Sequence, residues 1–309
     1  MKLDTEFKEL SWDAFITIKE KFVFSDLRSI INNDIGEIVQ SGLSTNGEKC
    51  TLFKYFDNTD KAEFLISGSA KNVYYAYTDA ASKRTINSLI RGNITKFCLQ
   101  HQGNFCLHAA GVQVDNGVIL FTGHKTAGKS TLTAYFRLKG HTVWCDDYAV
   151  VGSNGGNWFA YKGDDDLKVT PETASLFNLP YSELQSVFTY RNKIDNSEKP
   201  VAGKYYFKSS VDLAQPESLP VKAVFQLYPR ELSPLNIVHD QDKQKAFMFL
   251  LKEMMLPGVN SKAYIELYFK SAKRFIDDLP FYAVHAPDAI ERIGEVYHEI
   301  LRVSLTDKR

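Results

Sequence analysis

The sequence predicts an α/β (α+β) protein, with a smaller β-rich unit over residues 1–85 and a P-loop domain over residues 86–309. Three observations carry that expectation. Gly123-His124-Lys125-Thr126-Ala127-Gly128-Lys129-Ser130-Thr131 fits the pattern Gly, four residues, Gly-Lys-Ser/Thr. An apolar run, Gly117 to Thr122, precedes it as a buried strand, and Leu132 to Lys139 follows as a helix that stops at Gly140. Short alternating apolar runs before residue 80 give way to helical spacing at Ile86, Leu89, Ile90, Ile94, Phe97 and Cys98. That switch puts the boundary between residues 80 and 100.

In chain order, the first unit carries strand-like runs at 14–18, 50–56, 63–66 and 73–77. Asn32-Asn33-Asp34, Asn46-Gly47 and Asp57 to Asp60 punctuate them. Tyr74, Tyr75 and Tyr77 suit a half-buried strand better than a ligand face. After the helical stretch, Asn104 to Val114 reads as one strand containing His108. Asp115-Asn116-Gly117 is a tight turn into the P-loop strand. His141 to Val151 is an apolar strand interrupted by Asp146-Asp147. Ser153 to Asn157 is a hairpin loop, and Gly163 to Asp166 a charged, solvated one. Thr170-Pro171-Glu172 opens a helix, with Thr170 as its cap. The polar stretch 189–204 is an ordinary surface loop or a substrate loop. Strands at 205–207, 223–228 and 279–284, and helices at 243–256, 263–276 and 286–301, complete the pattern.

The chemistry of the central loop follows from its residue types. Gly123 and Gly128 admit backbone angles that let successive amides turn inward, and the next helix adds its free N–H groups. Together they cradle phosphate. Residues Gly123 to Thr131 are therefore the candidate nucleotide-binding set. Lys129 would reach the β- and γ-phosphates, and the Ser130 hydroxyl would ligate Mg²⁺. A carboxylate pair near such a loop suits metal and proton work, so Asp146 and Asp147 join the candidate site.

Composition narrows the class. The 309 residues are 44% hydrophobic, 24% charged and 13% aromatic, enough for a substantial core. Lys+Arg and Asp+Glu both number 37, which argues against a polyanion-coating protein, so no nucleic-acid partner is expected. Cys50, Cys98, Cys106 and Cys145 show no Cys-x-x-Cys spacing and read as buried thiols. The charged N-terminus lacks an apolar signal core, and no apolar run is long enough to span a bilayer. A cytoplasmic protein without a membrane partner is the expectation, and a homo-oligomer is left open.

Leu107-His108-Ala109-Ala110-Gly111-Val112, the P-loop, Gly140-His141 and Asp146-Asp147 together resemble the kinase domain of HPr kinase/phosphorylase. The resemblance covers residues 100–152, weakens beyond them and is absent before residue 80. It is similar, too, to the HPr-kinase-like enzymes that modify precursor peptides. It implies a phosphoenolpyruvate carboxykinase-like fold with a mixed sheet, and ATP (or another nucleoside triphosphate) with Mg²⁺ as cofactors. It also implies roles. Lys129 and Ser130 hold phosphates and metal, Asp146 is the general base toward an acceptor hydroxyl, and Asp147 is the metal-side carboxylate. His108 sits beside Asp146 and tunes it, while His141 is structural. Two departures stand out. Thr131 occupies a position where the family has Glu, and the glycine-rich signature loop of the bifunctional members is missing. The first implies a different metal ligation, and the second points away from the phosphorylase activity and from HPr as acceptor.

Three functions fit these residues. The first is an ATP- and Mg²⁺-dependent kinase acting on a Ser or Thr hydroxyl of a peptide or protein. The second is a kinase of a small molecule such as an amino acid or sugar. The third is a non-catalytic nucleotide-binding regulatory module, against which the intact Lys129, Ser130, Asp146 and Asp147 count.

Overall fold

A computed structural model of the chain describes residues 3–11, 23–32, 35–43, 48–56, 61–78, 83–180, 182, 184–191, 198–200, 203–208, 216–230, 234–239, 242–254 and 262–306. The strand expected at 14–18 lies outside them, as do several turn residues of the first unit. The chain divides into two compact units. The first comprises 1–103, 186–203 and 256–264, and the second 104–185, 204–255 and 265–309.

The first unit is a six-stranded sheet. Its strands are β1 (Glu6–Glu9), β2 (Val23–Asn32), β3 (Ile35–Leu43), β4 (Lys49–Phe56), β5 (Lys61–Ser67) and β6 (Asn72–Tyr77). β2 to β6 form an antiparallel meander, and β1 joins β6 in parallel. Two helices follow, α1 (Lys83–Leu89) and α2 (Thr95–His101), joined by a wide turn kinked at Gly92. Ile86, Ile94, Phe97 and Cys98 pack against Val39, Phe53, Phe64 and Val73 of the sheet. These helices therefore share the core of the first unit. That is why the unit runs to residue 103 rather than stopping at 85; the second unit is in turn interrupted by 186–203 and 256–264, which belong to the first. Tyr75 stacks on Phe64, and Tyr77 donates to Glu9, as half-buried strand residues do.

The second unit holds a nine-stranded mixed sheet. The strands come in chain order as β7 (Phe105–Leu107), β8 (Ala109–Val114), β9 (Gly117–Gly123), then α3 (Lys129–Leu138), β10 (Val143–Cys145), β11 (Ala149–Asn154) and β12 (Asn157–Tyr161). After β13 (Leu167–Val169) and α4 (Pro171–Leu176) come three short strands: β14 (Gln185–Ser186), β15 (Thr189–Arg191) and β16 (Glu198–Pro200). β17 (Tyr205–Phe207), β18 (Ser218–Leu227), β19 (Asn236–His239), α5 (Lys243–Met254), α6 (Lys262–Asp278), β20 (Phe281–His285) and α7 (Ile293–Thr306) complete the chain. The sheet order is β10-β8-β9-β18-β12-β11-β7, with β20 beside β18 and β19 beside β20. β15 and β16, paired with each other, fall in the first unit and account for part of the polar stretch expected as a loop.

Parallel pairing is confined to the centre of this sheet. β18 runs parallel to β9 on one side and to β20 on the other. One face carries Ile119, Phe121, Phe225, Leu227 and Val284 against Leu132 and Phe136 of α3 and Val296, Tyr297 and Ile300 of α7. The i, i+4 and i, i+3/i+4 spacings of those helix residues are what places both helices there. Elsewhere in the unit, Phe105 and Trp158 pack against Phe275 of α6. The glycine pair of the β11–β12 hairpin, Gly155 and Gly156, sits at φ 58° and 88°, as a two-residue turn requires. All four cysteines are buried as thiols, and burial pushes Cys98 and Cys145 up to about 12. Among the described residues no helix is long and apolar enough to cross a membrane.

Candidate active site at the P-loop

β9 is buried along its length and delivers Gly123 to the carboxyl edge of the sheet. Gly123 has φ 151°, and a Cβ there would lie 2.6 Å from the Leu227 carbonyl, so only glycine fits between the two parallel strands. Gly128 has φ 97° and caps α3. Between them, Ala127 N–H donates to the His124 carbonyl at 3.1 Å, and Thr126 is held at φ 71°. Lys129 folds back into the loop. Its ammonium donates to the carbonyls of Gly123 at 2.6 Å and His124 at 3.2 Å. Burial pulls this ammonium below its ordinary pKa, opposed by the charges of Glu253, Asp147 and Asp146. Lys125 and Thr126 are exposed, and Ser130 is half-buried in the first turn of α3. Thr131 turns toward α4, its hydroxyl 2.9 Å from that of Thr173.

The helix stop after the P-loop explains one of the sequence motifs. Gly140 N–H donates to Arg137 O and His141 N–H to Phe136 O, with Gly140 at φ 92°. That is a Schellman motif, and the His141 ring packs on Phe136 at 5.2 Å as its apolar contact. His141 also lies 3.1 Å from both the Gln113 carbonyl and the Tyr297 hydroxyl. It is part of the core.

Asp146 and Asp147 do not lie on one strand. The stretch expected as a single strand breaks into β10, which pairs with β8, and β11, which pairs with β7. The two carboxylates occupy the link, where Tyr148 N–H turns back to Asp146 O at 2.7 Å and Asp147 has φ 61°. Strand alternation therefore does not set their facings; the turn does. The chain segment 163–166, expected as solvated surface, is instead half-buried support for this turn. Gly163 N–H donates to Trp144 O and Asp164 O accepts from Asp146 N–H.

Lys168 on β13 holds both carboxylates. Its backbone N–H donates to Asp146 at 2.9 Å, and its ammonium pairs with Asp147 at 2.5 Å. The consequences differ. Asp146 is 5% exposed, and burial, reinforced by the charge of Asp147, pushes its carboxyl up to about 7. Burial also acts to raise Asp147, but the Lys168 ammonium outweighs it and keeps that carboxyl below the usual range. The same pair raises Lys168 despite its burial. Lys204, just before β17, adds positive charge toward Asp146, Asp147 and Lys129.

The run expected as one strand from 104 to 114 also breaks, at His108, into β7 and β8. Its carbonyl accepts from the Thr122 hydroxyl at 3.2 Å. The hydrogen-bonding partner of the His108 ring is Glu253, with Nδ1 2.7 Å from Oε2, rather than Asp146. The second oxygen of Glu253 lies 3.2 Å from Nδ1 of His124 in the P-loop. One carboxylate from α5 thus spans the His108 corner and the phosphate loop. Burial acts to raise Glu253, yet its contacts with His108, followed by the charges of His124 and Lys129, keep it below the ordinary carboxylate value.

The structure thus brings Lys129, Asp146 and Asp147 into electrostatic reach of one another, with His108 acting on Asp147. Sequence reasoning missed Lys168, Lys204 and Glu253. Each lies outside any motif, and a lone Lys or Glu on an amphipathic element carries no local signal. Among the described residues no cluster of three or more His, Cys, Asp or Glu side chains could hold a metal by itself. Ser130 and Asp147 are hard oxygen donors of the kind Mg²⁺ takes when a nucleotide supplies most of its other ligands.

No protein-family model and no curated protein matches the chain. Among solved structures, the chain is similar to the Hpr(Ser) kinase/phosphatase from Coxiella burnetii at 13% identity, with a TM-score of 0.28, over 65% of this chain and 97% of that one. A likeness that distant leaves the chemistry to be read from the side chains.

Proposed function

We propose that the protein is an ATP- and Mg²⁺-dependent phosphotransferase of the HPr-kinase-like type, acting on a Ser or Thr hydroxyl of a peptide or protein. The observation that carries this reading is the pairing of two unlike carboxylates beside a phosphate cradle. Asp146 is buried and pushed up to about 7, which matches a base that must take a proton near neutral pH. Asp147 stays ionised in its pair with Lys168 and is the carboxylate suited to the metal side. The loop amides, Lys129 and the start of α3 would hold the β- and γ-phosphates. Ser130 and Asp147 would hold Mg²⁺, which neutralises phosphate charge when bound. Phosphoryl transfer asks the protein mainly to position and stabilise charge, and these residues do both. Glu253 orients His108 and ties it to the loop.

The test is phosphate transfer from Mg²⁺-ATP to candidate acceptor peptides and proteins, read as a mass gain of one phosphate on a Ser or Thr. Transfer that Asp146→Asn loses while nucleotide still binds supports the reading. Phosphate found instead only on a free amino acid or sugar moves the acceptor to the small-molecule class. Nucleotide binding without turnover on any acceptor leaves a regulatory module.

A further inference from the structure

We propose that His108 carries the phosphoryl group on Nε2 between nucleotide and acceptor, so that the protein phosphorylates itself first and transfer is a double displacement. This rests on the nucleotide reading above. Glu253 sets His108 up as a nucleophile. Its carboxylate Oε2 lies 2.7 Å from Nδ1, and it is ionised at neutral pH because its pKa lies below the ordinary carboxylate value. An ionised carboxylate only accepts, so the ring proton sits on Nδ1 and the lone pair on Nε2. Among the described residues no hydrogen bond reaches Nε2 of His108. The His108 side chain is 31% exposed and that of Glu253 13%, so the imidazole is the open edge of the pair. A nucleophile beside an orienting partner is the arrangement covalent catalysis uses.

The position suits the role. The His108 carbonyl accepts from the hydroxyl of Thr122, the residue before Gly123, so the corner between β7 and β8 is tied to the foot of the phosphate loop. The charge of Glu253 acts on Lys129, and that of His108 on Asp147. The pair is therefore in electrostatic reach of both the ammonium expected on the β- and γ-phosphates and the carboxylate expected on the metal side. Those two groups bracket a γ-phosphate. His124 shares the same carboxylate by a longer contact, 3.2 Å, and its ring lies edge-on to Phe249 of α5. His108 is the more firmly oriented of the two.

In the first step the Nε2 lone pair attacks the γ-phosphorus. The Nε2–P bond forms, the bond from that phosphorus to the bridging oxygen breaks, and ADP leaves with the electron pair. The Nδ1 proton stays in its hydrogen bond, where the negative charge of Glu253 offsets the positive ring. In the second step the acceptor hydroxyl attacks the phosphorus, Asp146 takes its proton, and Nε2 recovers its lone pair.

The experiment needs no acceptor. The full chain with Mg²⁺ and γ-radiolabelled ATP, quenched in alkali, should carry label that survives base, is lost in acid and maps to His108. Labelled ADP should also pass into ATP, since the first step runs both ways. His108→Asn keeps an amide N–H for Glu253 but has no Nε2, and should lose both signals. The mapped site on the wild-type chain decides the case even if that variant fails to fold. Nitrogen NMR of the chain without nucleotide should show the His108 proton on Nδ1 and the lone pair on Nε2. The opposite tautomer overturns the proposal. So do label on a Ser, a Thr or another His, exchange that survives His108→Asn in the folded variant, and a wild type with neither label nor exchange. In that last case calorimetry with Mg²⁺-ATP separates the two readings. A chain that binds ATP loses only the phosphohistidine and leaves direct transfer standing, and one that binds none loses the nucleotide reading as well.

Discussion

The P-loop and the Asp146-Asp147 turn are both tight links at the end of a buried strand. Each holds a non-glycine residue at positive φ, Thr126 at 71° and Asp147 at 61°. They differ in what holds them. In the loop, Ala127 N–H returns to the His124 carbonyl and the Lys129 ammonium to the carbonyls of Gly123 and His124, while among the described residues only the side chains of His124 and Thr131 reach out, to Glu253 and Thr173. The carboxylate turn is tied to Asp164 and Lys168, about twenty residues on. A loop whose backbone path is held mainly from within depends less on its neighbours. A turn that places two carboxylates side by side under burial depends on its scaffold, because like charges there must be offset by a fixed cation. The loop is therefore held largely by its own backbone, and the turn is a product of this particular fold.

The largest effect should come from the loop. Lys129→Ala removes the ammonium that folds back into the loop, and transfer should fall by about 10³ or more in a phosphate-release or acceptor assay. Retained turnover would put the phosphate cradle elsewhere.

Asp146→Asn comes next, with transfer down by about 10² or more and nucleotide affinity kept. Wild-type activity should fall on the acid side of about pH 7, where Asp146 takes up a proton. Stability should show the opposite sign. The folded-state pKa is raised, so the native state binds this proton more tightly than the unfolded chain does. The resulting stabilisation is complete below the ordinary Asp pKa and is lost as pH rises through about 7. Asp146→Asn should therefore melt higher than wild type at pH 8 and lose that part of the pH dependence. A lower melting temperature at pH 8 would show that the ionised carboxylate is net stabilised, and would contradict the burial argument.

Lys168→Met probes the scaffold. It leaves Asp147 without its ammonium and withdraws positive charge from Asp146. Transfer should drop by about tenfold, and the acid limb of the rate profile should move to higher pH. ATP binding that falls as far as in Lys129→Ala would mean the loop is not independent of the turn.

The smallest effect should be Thr126→Gly. A β-branched residue in the left-handed region costs about 1–2 kcal/mol, partly offset by the added freedom of glycine when unfolded. The melting temperature should stay level or rise slightly. A clear loss of stability would show that the Thr126 side chain, rather than the backbone path, holds the loop.

Local signals made much of the molecule legible in advance. The apolar run at 117–122, the glycine spacing and the helical stretch to Gly140 contain the whole strand, loop and helix unit, because each partner lies within a few residues of the other. The cap at Thr170 and the Gly155-Gly156 turn were readable for the same reason. What failed was long-range. Helical periodicity at residues 86–98 showed that helices form, but the sheet they pack against decided which unit they join. A carboxylate pair in an apolar stretch announced a site. Only the pairing of β10 with β8 and of β11 with β7 turned that stretch into a corner. The sequence by itself determined the strand, glycine loop and helix and the identity of the carboxylates beside them, since backbone torsions and hydrogen bonds between near neighbours are local. The tertiary structure alone decided that Lys168 divides its backbone and side chain between Asp146 and Asp147, and that Glu253 bridges His108 and His124. Burial and electrostatic coupling are set by residues far apart in the chain, and no spacing rule carries them.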